Sequence, residues 1–444
     1  MMIRRAFANI SSSSSLRRIL KNEGKLSELR IGRWISVKSN GAEEAELSGK
    51  RFAAFWGNGD YGRLGHGTLE SQWRPKVLFP SVFDNQNLRE IACGGAHTLF
   101  LTENGRVYAS GLNDYGQLGV SADDRGYIIE PLEVAGLPKE IVKVSAGYHH
   151  SSAITVDGEL YMWGKNTNGQ LGLGKKAATI LSTPSKVEFL TGVTVKIISL
   201  GFEHSIAVTD KGETLSWGGG GSGRLGHGHQ SGILGLFKSD SEYTPRLVKE
   251  LEGFKIKNAA AGMLHSVCIS ENGSVYVFGE RAKKKLGYGE ASNNSVPSMI
   301  DEIPYSEKAA CGGYHTCVIT GGGELYVWGT NENGCLGIGS TDVAHSPERV
   351  EGPFLRHSVS EVWFSMVSCG WKHTAAISGG NVYTWGWGGS HGTFSVEGHS
   401  SGGQLGQGSD VDYIEPTIVN FHRHMKALQI SCGFNHTGAI LEYS

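Results

Sequence analysis

The chain has 444 residues, and its 41 Lys and Arg against 43 Asp and Glu give a formal charge of −2. Removing residues 1–35 would delete eight basic and two acidic side chains and take that charge to −8, which argues against broad, sequence-independent phosphate binding. No apolar run approaches the roughly 20 residues that span a bilayer, so membrane insertion is not expected, and 65 glycines fit a turn-dense β-protein.

The first 22 residues carry Arg4, Arg5, Arg17, Arg18 and Lys21, no acidic residue, and a serine run from Ser11 to Ser15. That is the composition of an organellar transit peptide, with no long apolar segment for secretion. Heavy arginine use favours the mitochondrion, and Arg33-Trp34-Ile35-Ser36 resembles a matrix-protease site with cleavage after Ile35. The expectation is a transit peptide over 1–35, a flexible linker over 36–50 and a mitochondrial matrix location. The alternative for the N-terminus is a disordered tail.

From residue 51 the chain repeats. A Gly-x-x-His-Thr/Ser pentapeptide occurs seven times, with its histidine at His97, His150, His204, His265, His315, His373 and His436. The 50 to 63 residues between successive histidines suit a four-stranded sheet with loops and exceed a helical-hairpin repeat. A second signature interleaves, as in Trp56-Gly57 with Gly62-Arg63-Leu64-Gly65, and most copies are followed by a proline such as Pro75, Pro131 or Pro184. Asn104-Gly105, Asp157-Gly158 and Asn272-Gly273 mark hairpins between the two. The last copy stops at Ser444 where a return strand should begin, and Phe52 to Trp56 aligns with the missing strand. The prediction is an all-β, seven-bladed β-propeller of four-stranded blades over 51–444, its ring closed by pairing of N- and C-terminal strands.

Seven equivalent histidines point to a structural task, bonding backbone at the blade junctions, rather than catalysis. Cys93, Cys311, Cys369 and Cys432 each lie four residues before a repeat histidine, where other copies carry Ala146, Leu200 and Ala261. That exchange marks a buried strand position, and without Cys-x-x-Cys spacing neither metal nor disulfide is expected. Gly57-x-Gly59-x-x-Gly62 and Gly218-x-Gly220-x-x-Gly223 match a dinucleotide fingerprint in letters, but no βαβ unit follows. Gly388-x-Ser390-x-Gly392 and Gly398-x-Ser400-x-Gly402 match a hydrolase elbow equally superficially. No catalytic residue and no cofactor are predicted.

Departures from the repeat are more telling. The fifth copy clusters Arg281, Lys283, Lys284 and Lys285, a place for RNA or an acidic partner, or else a solvated basic loop. The fourth copy puts 20 positions between Leu225 and Pro245, where four other copies have 11, and includes Ile233, Leu234, Leu236 and Phe237. Those apolar residues either meet a partner or fold back on the ring. The seventh copy holds a twelve-residue insertion with His391, Phe394 and His399, a composition that favours a loop.

The alternating signatures resemble the regulator of chromosome condensation family of seven-bladed propellers over nearly everything from 51 to 444. That resemblance implies one of several functions, among them a nuclear guanine nucleotide exchange factor, a plant ultraviolet-B photoreceptor and protein scaffolds. The photoreceptor depends on tryptophans within neighbouring pentapeptides. Here only Trp371 occupies that position, with Gly95, Tyr148, Phe202, Met263, Gly313 and Phe434 in the others, so adjacent coupled indoles are not expected. Mitochondrial relatives imply a scaffold for transcript processing, intron splicing included, and for ribosome assembly, and through these for respiratory complex I. Its partners would be proteins of that machinery, with RNA contacted directly or bridged. Nucleotide exchange on a small GTPase is the alternative.

Overall fold

The computed structural model describes residues 50–120, 126–138, 140–228, 241–280, 294–351, 363–389, 402–421 and 425–443. The expected transit peptide and nearly all of the linker lie outside them. The described residues form seven antiparallel four-stranded sheets and only short 3-10 turns. The chain is a seven-bladed β-propeller.

The first complete blade runs Leu88–Cys93, His97–Thr102, Val107–Leu112 and Tyr127–Glu133 in spatial order. First strands of successive blades contact one another around the axis, so they are innermost. Second strands are buried on both faces, because each is covered by the neighbouring blades. His97–Thr102, His150–Thr155 and His204–Thr209 bury all six of their residues. This explains why these strands read as nearly continuous runs such as Thr-Leu-Phe-Leu rather than as an apolar and polar alternation.

The core is therefore divided among the junctions. Leu99, Leu101, Val107 and Leu118 of one blade pack against Val144, Ala153 and Trp163 of the next. Outer strands are mostly exposed or half-buried, and each holds a proline: Pro75, Pro131, Pro184, Pro245, Pro297, Pro347 and Pro416. Proline donates no ladder hydrogen bond, so it is tolerated at an edge and discourages pairing with another chain.

The closing blade is built from both ends of the repeat region, in the order Gln72–Leu78, Arg51–Gly57, His436–Tyr443 and Met425–Cys432. Arg51–Gly57 pairs with His436–Tyr443 without a register break, from Arg51 opposite Glu442 to Gly57 opposite His436. The Arg51 side chain also reaches Glu103 of the following blade at 2.7 Å. The segment further supplies Phe55 and Trp56, both fully buried.

Loss of one buried aromatic costs about 3–5 kcal/mol, and deleting residues 51–57 removes two together with a central ladder. That deletion should abolish a cooperative melt or lower the melting temperature by more than 10 °C in a thermal unfolding scan. An unchanged melting temperature would refute closure as a stabilising device.

Candidate functional site

Six of the seven blade junctions, as far as the described residues reach, join the two sequence signatures at one backbone carbonyl. The His97 imidazole meets Ser151 of the next blade at 2.9 Å, and the Ser151 hydroxyl donates to the Gln117 carbonyl at 2.7 Å. The same carbonyl accepts the indole N–H of Trp163 at 2.9 Å. Gln170 repeats the arrangement with Ser205 and Trp217, Cys335 with Thr374 and Trp385, and Gln404 with Thr437 and Trp56. Where the indole is replaced by Ser110 or Phe278, the carbonyls of Arg63 and Arg224 accept only the hydroxyl.

Around the ring all seven imidazoles follow this rule, each with its Nε2 2.9 to 3.3 Å from the hydroxyl one blade on; His436 closes the circle on Thr98. The sequence reading had the imidazoles bonding backbone directly. The structure instead inserts a hydroxyl, which passes the bond on to backbone. A hydroxyl whose proton goes to a carbonyl must accept from the imidazole, so Nε2 carries the hydrogen in those junctions. Burial holds these rings neutral, pushing His97, His150, His315 and His373 down to about 3 and His265 to about 4. The pentapeptide glycine is required by the same packing: a Cβ on Gly94 would lie 2.4 Å from the His97 ring and 2.6 Å from the Gly147 carbonyl oxygen.

Above this ring, backbone bonds run between adjacent pentapeptides, Gly95 N–H to Gly147 O at 3.1 Å and Phe434 N–H to Gly94 O at 3.0 Å among them. The axial cavity is about 100 Å³ and open to solvent, lined by the pentapeptide glycines and by Cys93, Cys311, Cys369 and Cys432. Ligand pockets are usually about 300 Å³ or more, so the channel is too small for a nucleotide. Cys93 and Cys432 are buried, but Cys311 and Cys369 are only partly so.

The mouth is aromatic and bordered by charge. Trp371 stacks on Phe434 at 4.5 Å, and Tyr148 touches both Phe202 at 4.3 Å and Phe434 at 5.1 Å. His149 sits between Tyr148 and Tyr115, and burial lowers it to about 4. Arg224 is fixed by the carbonyls of Gly219 and Met263 and by Glu203, and Glu203 also meets Lys165 at 3.7 Å. Arg63 bonds the Asp60 and Gly95 carbonyls, and burial lowers it to about 10. The expectation of no adjacent indoles needs correction: Trp387 lies 5.9 Å from Trp371, nearly perpendicular to it. Trp387 belongs to a different strand end, so counting pentapeptides could not find it.

Arg281, Lys283, Lys284, Lys285, Ile233, Leu234, Leu236 and Phe237 lie outside the described residues, as do His391, Phe394 and His399. The anchors of their loops are described. Gly218 pairs with Glu242, Gly279 with Asn294 and Gly386 with Tyr413, and these glycines pair in turn with His204, His265 and His373. All three irregular connections therefore leave from the face that bears the pentapeptides. The dinucleotide-like glycines lead only into three-residue 3-10 turns, Asp60–Gly62 and Gly221–Gly223.

Ser151→Ala strips the acceptor from His97 and should cost about 1–3 kcal/mol, read as a lower denaturant midpoint. Ser151→Thr, the residue of four other junctions, should restore it; equal midpoints for all three proteins would contradict the relay. The unfolded chain protonates its histidines near pH 6.5 while the folded ring does not. Stability is thus fully present above pH 6.5 and is lost as pH falls toward 4, by about 1.4 kcal/mol per unit for each such imidazole. A melting temperature that stays flat between pH 7 and pH 4.5 would exclude this.

Comparison with known proteins agrees with this architecture. The RCC1-like domain profile matches residues 52–439. The ultraviolet-B receptor UVR8 of Arabidopsis thaliana is 32% identical over 415 residues, 92% of this chain and 75% of the receptor. The mitochondrial RCC1 domain-containing protein RUG3 of the same plant is 34% identical over 253 residues, 56% of this chain and 54% of RUG3. Human E3 ubiquitin-protein ligase HERC2 matches at 30% identity, but the chain corresponds to 5% of its length. Among solved structures, human WBSCR16 superposes with a TM-score of 0.75 at 23% identity, covering 88% of this chain and 99% of that one. With both signatures in place at the blade junctions and the profile spanning the ring, the chain belongs to the RCC1-like domain family.

Proposed function

We propose that the pentapeptide face is the working surface of a non-catalytic scaffold in the mitochondrial matrix. It would hold proteins of the RNA-processing or ribosome-assembly machinery, with RNA contacted directly or bridged, and so support transcript processing, intron splicing included. Respiratory complex I would depend on it through mitochondrially encoded subunits.

One observation carries the reading: the three irregular connections, basic, apolar and Gly/Ser-rich, are anchored on one face around an aromatic, charge-bordered mouth. Loops displayed by a rigid frame are where binding residues concentrate. The histidines, which would be the first choice for acid-base chemistry, are neutral, buried and engaged in the frame. The location draws on the arginine-rich, acid-poor N-terminus and on the similarity to RUG3, which is named as mitochondrial.

Tagged protein recovered from isolated mitochondria should bring down precursor transcripts and processing factors, and a null line should show reduced complex I. RNase treatment of the eluate separates bridging from direct protein contact. Recovery of a single small GTPase, retained until nucleotide is added, would replace this reading with nucleotide exchange.

A further inference from the structure

The repeat places two positions of adjacent blades side by side. The residue two after each repeat histidine faces the residue four before the next one across the junction. In most junctions at least one of the two cannot ligate a metal, as with Leu99 opposite Ala146 or Ile206 opposite Ala261. Between the fifth and sixth complete blades both are cysteines. There a ring nitrogen of His315 and the sulfurs of Cys317 and Cys369 lie within 4.8 Å of one another.

Two further features bear on metal binding at this cluster. First, His315 Nε2 is 2.9 Å from the Thr374 hydroxyl, which donates to the Cys335 carbonyl. The tautomer is thereby set, and Nδ1 is left with a lone pair, buried and without a hydrogen-bond partner, as in five other repeat histidines; among the described residues, only here do two thiols lie beside the ring. Metal-binding imidazoles are commonly held in this way, by a donor bond from the opposite nitrogen. Second, Cys369 lines the axial cavity, which gives an ion a way in and leaves a position open for water.

We propose that His315, Cys317 and Cys369 bind one Zn²⁺ ion, reached through the axial cavity. Binding displaces two thiol protons, so two thiolates and a neutral imidazole balance the dication and no net charge is buried. A monovalent thiophilic ion in the same ligands would leave one negative charge in the core, at considerable desolvation cost. Tetrahedral zinc with bonds of about 2.0 Å to nitrogen and 2.3 Å to sulfur sets its ligands roughly 3.5–3.8 Å apart. Closing from 4.8 Å requires each atom to move inward by about 0.6–0.8 Å, within reach of side-chain rotation.

The test uses the full, metal-stripped chain titrated with zinc against a chromogenic chelator, with cobalt as a spectroscopic substitute. The expected result is one zinc per chain and a sulfur-to-cobalt charge-transfer band. Cys317→Val and Cys369→Ala install residues that neighbouring blades carry at the same positions, Val267 and Ala261, so both variants should fold. Each should weaken zinc about 100-fold or more and remove the band, with the metal-free melting temperature unchanged. Cys335→Ala should keep full affinity. A wild-type chain with free thiols that takes up no zinc overturns the proposal, as does equal affinity in both ligand variants.

Discussion

Everything in this ring hangs on a backbone carbonyl at the blade junction. It accepts a hydroxyl and, in four junctions, an indole from the next blade while an imidazole one blade back closes on the same hydroxyl. Buried polar groups are costly unless paired, and each partner here is satisfied only when two blades are correctly docked. The polar network therefore fixes the angle between blades, whereas apolar contact among Leu99, Val144 and Trp163 supplies attraction with little directional preference. Seven repetitions of a fixed angle close a circle.

That dependence explains which parts of the chain were legible. Gly-x-x-His-Thr/Ser and the Trp-Gly with Gly-x-Leu-Gly signature are the two halves of one junction, so their sevenfold recurrence reports blade number, blade order and the shared closing blade. Chemistry across the junction was not legible in the same way. The hydroxyl partner of an imidazole sits 51 to 64 residues away in six junctions and 338 away in the closing one, and no local pattern announces it. Trp387 escaped a count of pentapeptides for the same reason, and only the fold brings Cys317 of one blade beside Cys369 of the next. The residues singled out for partner contact are legible only as departures from the repeat, since nothing in a junction constrains them.

The frame and the display surface thus obey opposite requirements. In the frame Gly94 cannot accept even a methyl group, because the imidazole and a neighbouring carbonyl occupy the space. At the connections between third and outer strands, length and composition vary freely, because both ends are pinned by pairs such as Gly218 with Glu242. A family can therefore keep one scaffold and change what it holds, and relatives bearing names as different as a light receptor and a ligase become intelligible. Membership fixes the frame, and the variable connections carry the individual role.

The divided closing blade also imposes an order on folding. Arg51 and Glu442 are 391 positions apart, and joining such distant points in a free chain would cost about 5 kcal/mol in loop entropy. The six intervening blades are each built from contiguous sequence and can form one after another as the chain emerges. Once docked at their fixed angle, they deliver both ends to the same place and have already met most of that entropic cost. Until His436–Tyr443 arrives, however, Arg51–Gly57 presents an unpaired apolar edge without the proline that guards the outer strands. The nascent chain is thus most vulnerable to misassociation in the interval before its final strand is available, which makes that interval the natural point for chaperone protection.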